Sequence, residues 1–561
     1  MSITVLALAG SLPIVTILLL MVGLRWSAVR AMSVGWVIAS ALGLFLWRMM
    51  PGWWIAAAFY GVLQAIDIIL IVFGAILLMN HLQASGAIDT IRMHFGQVVQ
   101  DARIQLLLIG LGFMTLIEGV AGFGTPGALG APLLTGLGFT PMAAATFGLL
   151  MNVPNPPLGA AGVPVLGGIG AVIDEGVLAG AMEPMVFLRQ VAGWTGVFTG
   201  TMLAILGVIG VFLLLYWFGF EDKPSEGQPS LRDAWRGTRS AAPFALAMGA
   251  VAGLTQFLVA WFVGPELPSA MAGVVALGTG LLLVRYGVLV PQDVWRLPEE
   301  DDASQDSDQP DEESGAKMSV WLAWAPYMLV VLVLFVTRMP GLGLREPLRG
   351  VVVEWEQILG QDIAFTLRPL FIPGVIPFIP VAILTALIHP MGLKDAASAW
   401  GKTFRQTVTI ALTLVVAVSM AQVMIRSATN PDDLPGMMQA LSMALAQAAG
   451  QAHPFVAPWV GSLGSFMTGS STSSNILFSV VQHDAAGDLG LPRTLVVALQ
   501  NAGTGPGNMI SVLNIAAVSG VLGLRRVEGD LLRRLLIPTI ILATLVGLGG
   551  LLLAPLLTHV Y

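Results

Sequence analysis

The chain is built from apolar blocks of about 18–25 residues, the length an α-helix needs to cross ~30 Å of hydrocarbon. They recur from end to end, as in Val191 to Phe218, 320–337 and Leu535 to Leu557. Only 11% of the 561 residues are charged and 56% are hydrophobic, against roughly 25% charged in soluble domains. The expected fold is an all-α polytopic membrane protein with about 12–14 transmembrane helices. Candidate spans are 3–24, 31–49, 54–80, 104–118, 191–218, 241–263, 267–290, 320–337, 370–388, 407–425 and 535–557. Two further regions, 119–190 and 437–524, are apolar but interrupted by Gly, Pro, Asn and Ser.

Lys and Arg orient the spans. With Arg25 and Arg30 on the cytoplasmic side, alternation places 18 of the 26 basic residues inside and 7 outside, leaving Arg493 uncounted within a broken region. That asymmetry fits the positive-inside rule and puts both termini outside. Met1 to Leu24 has no basic lead and no clear cleavage site, so it reads as a first span rather than a removed signal. The expected location is the inner or plasma membrane.

Cysteine is absent, which excludes disulfides, thiolate catalysis and Cys-based metal sites. His389, His453 and His483 have no metal-ligand spacing. No cofactor and no metal are expected. The net charge of −7 is mostly local: Asp293 to Glu313 holds ten acidic residues and one Arg. The stretch 292–317 therefore reads as an acidic solvated linker on the cytoplasmic side, dividing residues 1–291 from 318–561. No basic stripe interleaved with aromatics points to nucleic acid. Ala396 to Thr403 is the nearest string to a P-loop, but it lacks the first Gly and a preceding strand. No HExxH or G-x-S-x-G is present, so the chain is not read as an enzyme.

The two broken regions, 104–190 and 427–525 with their flanks, resemble each other in pattern. Each has a Gly/Thr/Ser tip, an apolar stretch, a turn (GLGF or LGLP), a helix ending in amide side chains, and a Gly/Pro break. The charge rule enters the first from the cytoplasm and the second from outside. Paired interrupted segments of opposite sense are the sequence pointer to a carrier site near the bilayer midplane. Backbone accounting gives the reason: a broken helix survives in hydrocarbon only where it lines a cavity or packs in protein. Gly122, Gly124, Pro126 and Gly127, and in the second copy Gly469, Gly503, Gly505, Pro506 and Gly507, are expected to break helices. The half-helix N-termini so exposed bind a carboxylate without a buried Lys or Arg.

Substrate contacts are accordingly expected from Gly122, Gly124, Thr125, Asn152, Asn155, Ser470, Ser471, Thr472, Ser473, Asn475, Gln500, Asn501, Asn508 and Ser511. Their hydroxyls and amides suit the recognition of a carboxylate or a hydroxyl in a dry site. Glu118 and Asp67 are carboxyls inside apolar stretches, costly in a membrane and so candidates to carry a coupling proton.

At these residues the chain resembles the bacterial L-lactate permease family, which carries lactate and glycolate. Glu118 to Pro126 (EGVAGFGTP) resembles that family's EGAAGFGAP, Phe262 to Pro268 (FVGPELP) its FIGPELP, and Thr468 to Asn475 (TGSSTSSN) its TGSDTSSN. Asn501 to Ser511 resembles its second Gly-rich break. The resemblance implies a proton symporter for short 2-hydroxy-monocarboxylates, built from two inverted repeats with re-entrant hairpins. Two positions depart from it: Ser471 stands where an acidic residue is expected, and Asn508 where a Lys is expected. The double loss is charge-neutral, and Ser and Asn oxygens suit a hard cation. A Na⁺-coupled carrier of another organic or inorganic anion (a dicarboxylate or an oxyanion) therefore stays as the alternative, with an anion channel behind it. The expected partners are the small anion, a proton or sodium ion, the lipid bilayer and no nucleic acid, with homo-oligomerisation open.

Overall fold

The computed structural model describes residues 2–24, 26–96, 99–122, 124–219, 230–296, 318–338, 343–372, 374–525 and 527–557. Most of the acidic linker, 297–317, lies outside the described residues. Among the described residues, nine helices are long and apolar enough to cross a membrane: Ile3–Met21, Ala28–Phe45, Pro51–Ala84, Ala102–Val120, Pro184–Phe218, Leu231–Phe262, Pro268–Tyr286, Leu393–Arg426 and Glu528–Leu557. Shorter apolar helices, among them Pro141–Leu150 and Val512–Val521, fill the broken regions.

Burial separates two kinds of helix. Leu8, Leu12 and Phe45 near the N-terminus, and Ile537, Leu552 and Leu556 near the C-terminus, leave large apolar side chains exposed. In water such a surface would aggregate; in a bilayer it is the lipid face. Ala102–Val120 instead is buried along its whole length, so its polar residues meet protein rather than lipid. Glycines bring the long helices together. The Cβ positions of Gly200 and Gly253 would lie 2.5 and 2.1 Å from each other's carbonyl oxygens, joining Pro184–Phe218 to Leu231–Phe262. Gly61 does the same against Ser419, its Cβ position 2.4 Å from the Ser419 Cα. In lipid, where no hydrophobic effect drives helices together, such backbone approach supplies the contact.

Several helices run beyond the expected spans. Leu393–Arg426 is 34 residues long, so the string Ala396 to Thr403 lies within one helix and follows no strand. The segment before residue 370 is not bare loop. Val353–Trp355 pairs antiparallel with Phe365–Leu367, and Ile358, Ile363 and Phe365 pack on Ala56 and Tyr60 of the Pro51–Ala84 helix.

Not every expected break forms: Pro126 and Gly127 lie in the first turn of the Thr125–Thr135 helix. Residues 503–507 are helical, within Arg493–Met509, and the chain leaves the helix only at Ile510–Ser511. Small residues in this stretch serve close packing: a Cβ at Gly503, Gly505 or Gly507 would lie 2.1, 2.1 and 2.0 Å from the carbonyl oxygens of Pro458, Val153 and Ser462. The breaks that do form are at Gly122 and Gly124, with φ of 58° and 79°, and at Gly469, with φ of 67°. A Cβ is unfavourable in these left-handed conformations.

Candidate functional site

Two helix N-termini from opposite halves of the chain open onto one cavity of about 80 Å³. By the measure on which a water needs roughly 10–15 Å³, it has room for a short-chain acid. The first N-terminus is that of Thr125–Thr135, whose N-cap, Gly124, has no side chain to offer. The second is that of Ser471–Asp488, capped by the Ser470 hydroxyl, which accepts from the Ser473 N–H at 3.2 Å. First-turn N–H groups lack intrahelical partners, and with the helix dipole they favour an anion.

Glu118 reaches this cavity from the end of the buried Ala102–Val120 helix and is 5% exposed. Its Oε2 accepts from the Asn152 amide at 2.8 Å. Gly159 makes room for it; a Cβ there would stand 2.6 Å from Oε1. Gly124, Asn152, Ser470, Ser471, Thr472 and Asn508 line the same space. The Ser471 hydroxyl is buried with no hydrogen-bond partner, so it is available to a ligand. Asn508 accepts from the amide of Asn514, which also lines the cavity.

The other expected residues surround the cavity without lining it. Gly122 holds the break against Ala160, whose Cβ lies 2.5 Å from the position a Gly122 Cβ would take. The Thr125 hydroxyl donates to the Gly122 carbonyl at 2.6 Å and closes that turn. Asn155 donates to Thr115 at 3.1 Å. Ser473 supplies the capped N–H, and the Ser511 hydroxyl is buried without a partner, 3.1 Å from where a Gly469 Cβ would be.

Asn475, Gln500 and Asn501 form a buried amide network. Asn475 donates to Asn501 Oδ1 at 2.8 Å and to the Pro164 carbonyl at 2.9 Å. Gln500 donates to Asn475 Oδ1 at 3.0 Å, and Asn501 to the Pro157 carbonyl at 3.1 Å. These bonds fasten the second broken region to the irregular backbone of the first. Asp67 is apart from the cavity, on the Pro51–Ala84 helix, with Oδ1 unpartnered.

Sequence reading gave no sign of a second polar cluster. Tyr60 donates to Asp174 at 3.1 Å, Arg426 pairs with Asp174 at 3.3 Å, and its guanidinium lies 4.5 Å from the Tyr60 ring. The three residues come from well-separated segments, and no motif links them. No group of three or more His, Cys, Asp or Glu able to hold a metal occurs among the described residues.

Long apolar helices around a buried, polar, two-sided cavity define a multi-pass helical membrane protein. Residues 6–557 match the L-lactate permease family model, and the chain belongs to that family. It is a membrane transporter and not an enzyme. It is 29% identical to the glycolate permease GlcA of Escherichia coli K12 over 98% of this chain and 96% of that one. It is 27% identical to the L-lactate permease of the same strain over the same shares. The L-lactate permease of Bacillus subtilis 168 is 28% identical over 80% of this chain and 78% of its own. Among solved structures, the YdaH transporter of Alcanivorax borkumensis matches 73% of this chain and 86% of its own, at 17% identity and a TM-score of 0.29. That likeness is too slight to argue from.

Proposed function

We propose that the chain is a secondary active carrier of short 2-hydroxy-monocarboxylates such as lactate or glycolate, coupled to protons. The carrying observation is the single cavity shared by the two helix N-termini and Glu118. In this reading the carboxylate of the substrate lies between the N–H groups of Gly124 and Gly127 and those of Ser471 and Thr472. Those partial charges bind an anion without a fixed cation in the cavity. Ser471 and Asn508 offer hydrogen bonds to the 2-hydroxyl. Glu118, held by Asn152, takes the coupling proton; Asp67 is a second candidate on a separate helix. Names of the relatives, lactate and glycolate permeases, support the substrate class. The two halves, residues 1–291 and 318–561, are read as carrying inverted repeats with the broken regions 104–190 and 427–525, and the positive-inside count puts both termini outside.

The alternative of Na⁺ coupling draws on the same observation: the cavity's side-chain oxygens are largely Ser, Thr and Asn, which suit a hard cation. Proteoliposomes decide. A pH gradient should drive uphill lactate or glycolate accumulation, and counterflow should prefer these over malate and sulfate. Accumulation that follows a sodium gradient and ignores pH would install the alternative, and equilibration without accumulation would make the protein a channel. Glu118→Gln should abolish pH-driven accumulation while labelled lactate still exchanges for unlabelled; undiminished pH-driven accumulation would remove Glu118 from the coupling role.

A further inference from the structure

The end of the second hairpin remote from the central cavity contains another cavity, of about 230 Å³. Its polar lining is Gln190, His483, Arg493 and Thr494, and Leu178 and Phe187 give it an apolar wall. Arg493 opens the Arg493–Met509 helix, behind an N-cap, Pro492, that offers no side-chain cap. Its guanidinium rests on Gly487. A Cβ there would lie 2.4 Å from Nη2 and 2.7 Å from Nε, so a side chain at this position would push the guanidinium aside.

Beneath it, His483 is 1% exposed and held on two sides. Its Nδ1 is 2.8 Å from the Asp484 carboxylate, and the Phe187 ring meets it edge-on at 5.6 Å. This turns Nε2 toward Arg493, 3.5 Å from Nη1. Among the described residues no carboxylate lies within ion-pairing distance of Arg493; the nearby Asp484 pairs with His483 instead. A planar guanidinium with free donors, beside uncapped first-turn N–H groups and an apolar wall, fits a small carboxylate with a short carbon chain. Arg493 also borders a neighbouring, wider cleft, whose other charged residues are Asp433, Asp484 and Asp488; these disfavour an anion on that side of the guanidinium. No acidic residue lines the Arg493 cavity.

We propose that this cavity is a second carboxylate site, which captures the transported anion at the protein surface before it enters the central cavity. The proposal rests on the transport reading above. The two sites are joined by one helix. Arg493 and Gly505 lie 12 residues apart on one helix, about 18 Å at 1.5 Å per residue. Along that stretch Ser479 and Gln482 face the groove between the helices with Gln500 and Asn501, all buried. Ser479 donates to Gln500 at 3.2 Å, and neither amide atom of Gln482 has a partner.

The test uses the full chain in proteoliposomes of zwitterionic phospholipid, with lactate as the probe and initial rates measured separately from each face. Arg493→Gln removes the charge and shortens the side chain, while keeping a polar amide that donates hydrogen bonds. It should raise the lactate KM from the Arg493 face about tenfold, the loss of one charge-assisted contact, with KM from the opposite face unchanged. Arg493→Lys should restore most of the difference. A silent Arg493→Gln overturns the site, and so does an equal KM change from both faces, which would mean general distortion. A wild-type KM that depends on added anionic phospholipid also overturns it, assigning the cavity to a lipid headgroup. Wild-type protein that carries no carboxylate at all would instead sink the transport reading.

Discussion

The two hairpins reach the same cavity by different chemistry. The first turns through Gly122 and Gly124, and its tip helix starts with no side-chain cap. The second turns at Gly469 and is capped by Ser470. The first carries Glu118 and its partner Asn152; the second carries hydroxyls and, behind them, the amide network that fastens the two regions together. The chargeable group of the cavity thus belongs to one hairpin, and the neutral hydrogen-bonding groups mostly to the other.

Their bases differ as well. Arg103, beneath the first hairpin, is wholly buried and saturated. It pairs with Asp101 at 2.6 Å and donates to the carbonyls of Gly237 and Asp293 at 2.7 and 2.6 Å, with the Trp295 ring 5.0 Å away. Arg493, at the base of the second, is exposed and has no carboxylate partner among the described residues. A saturated guanidinium is a structural fastening, whereas one with donors to spare can receive a ligand.

The largest expected effect is therefore at Arg103. Arg103→Ala leaves Asp101 buried without its partner, a change that typically costs about 3–5 kcal/mol. Thermal unfolding in detergent should show a large loss of stability or no folded protein at all, while Arg493→Gln should melt as the wild type does. Equal behaviour of the two variants would erase the distinction between the hairpin bases.

Next come the glycines, which separate space from conformation. Gly505→Ala sets a Cβ 2.1 Å from the Val153 carbonyl. Overpacking of this kind costs about 1–3 kcal/mol or more, and transport should be lost. At Gly124 the nearest atom to a Cβ, Asn514 Oδ1, is 3.9 Å away, so only the left-handed backbone is strained, by about 1–2 kcal/mol. Gly124→Ala should be milder, and Gly124→Asn milder still, because Asn tolerates that conformation. Uptake rates and melting temperatures of the three variants check the order; a harmless Gly505→Ala would contradict the packing seen there.

The smallest effect separates adjacent serines. Ser470→Ala removes a helix cap and should cost about 1 kcal/mol of stability. Ser471→Ala removes a buried hydroxyl that has no partner, so stability should hold or rise. If that hydroxyl serves the substrate, its loss appears in the lactate KM alone. A Ser471→Ala protein that is destabilised and has an unchanged KM would assign the hydroxyl to structure.

Hydropathy made the long helices legible, because crossing hydrocarbon imposes a length and a polarity that few other folds share. The break at Gly122–Gly124 and the one at Gly469 were legible for a similar reason: a left-handed turn at membrane depth calls for glycine. The same residue type misled at 503–507. Gly and Pro there signal a break, yet the helix continues, since the absence of side chains lets it approach the backbones of Pro458, Val153 and Ser462. Composition does not distinguish a glycine that bends from one that packs. The Tyr60–Asp174–Arg426 cluster and the Arg493 cavity were not legible, because each joins segments that meet only in the folded chain.

The central claim is that one substrate cavity lies between the two halves of the chain. The protein has no cysteine, so a single introduced thiol can be followed without background. Leu149→Cys and Thr472→Cys place one in each half, both on the cavity wall. In variants that still transport, lactate should slow maleimide labelling at both positions with the same half-protecting concentration. Protection at one position only, or at neither, would contradict a shared site.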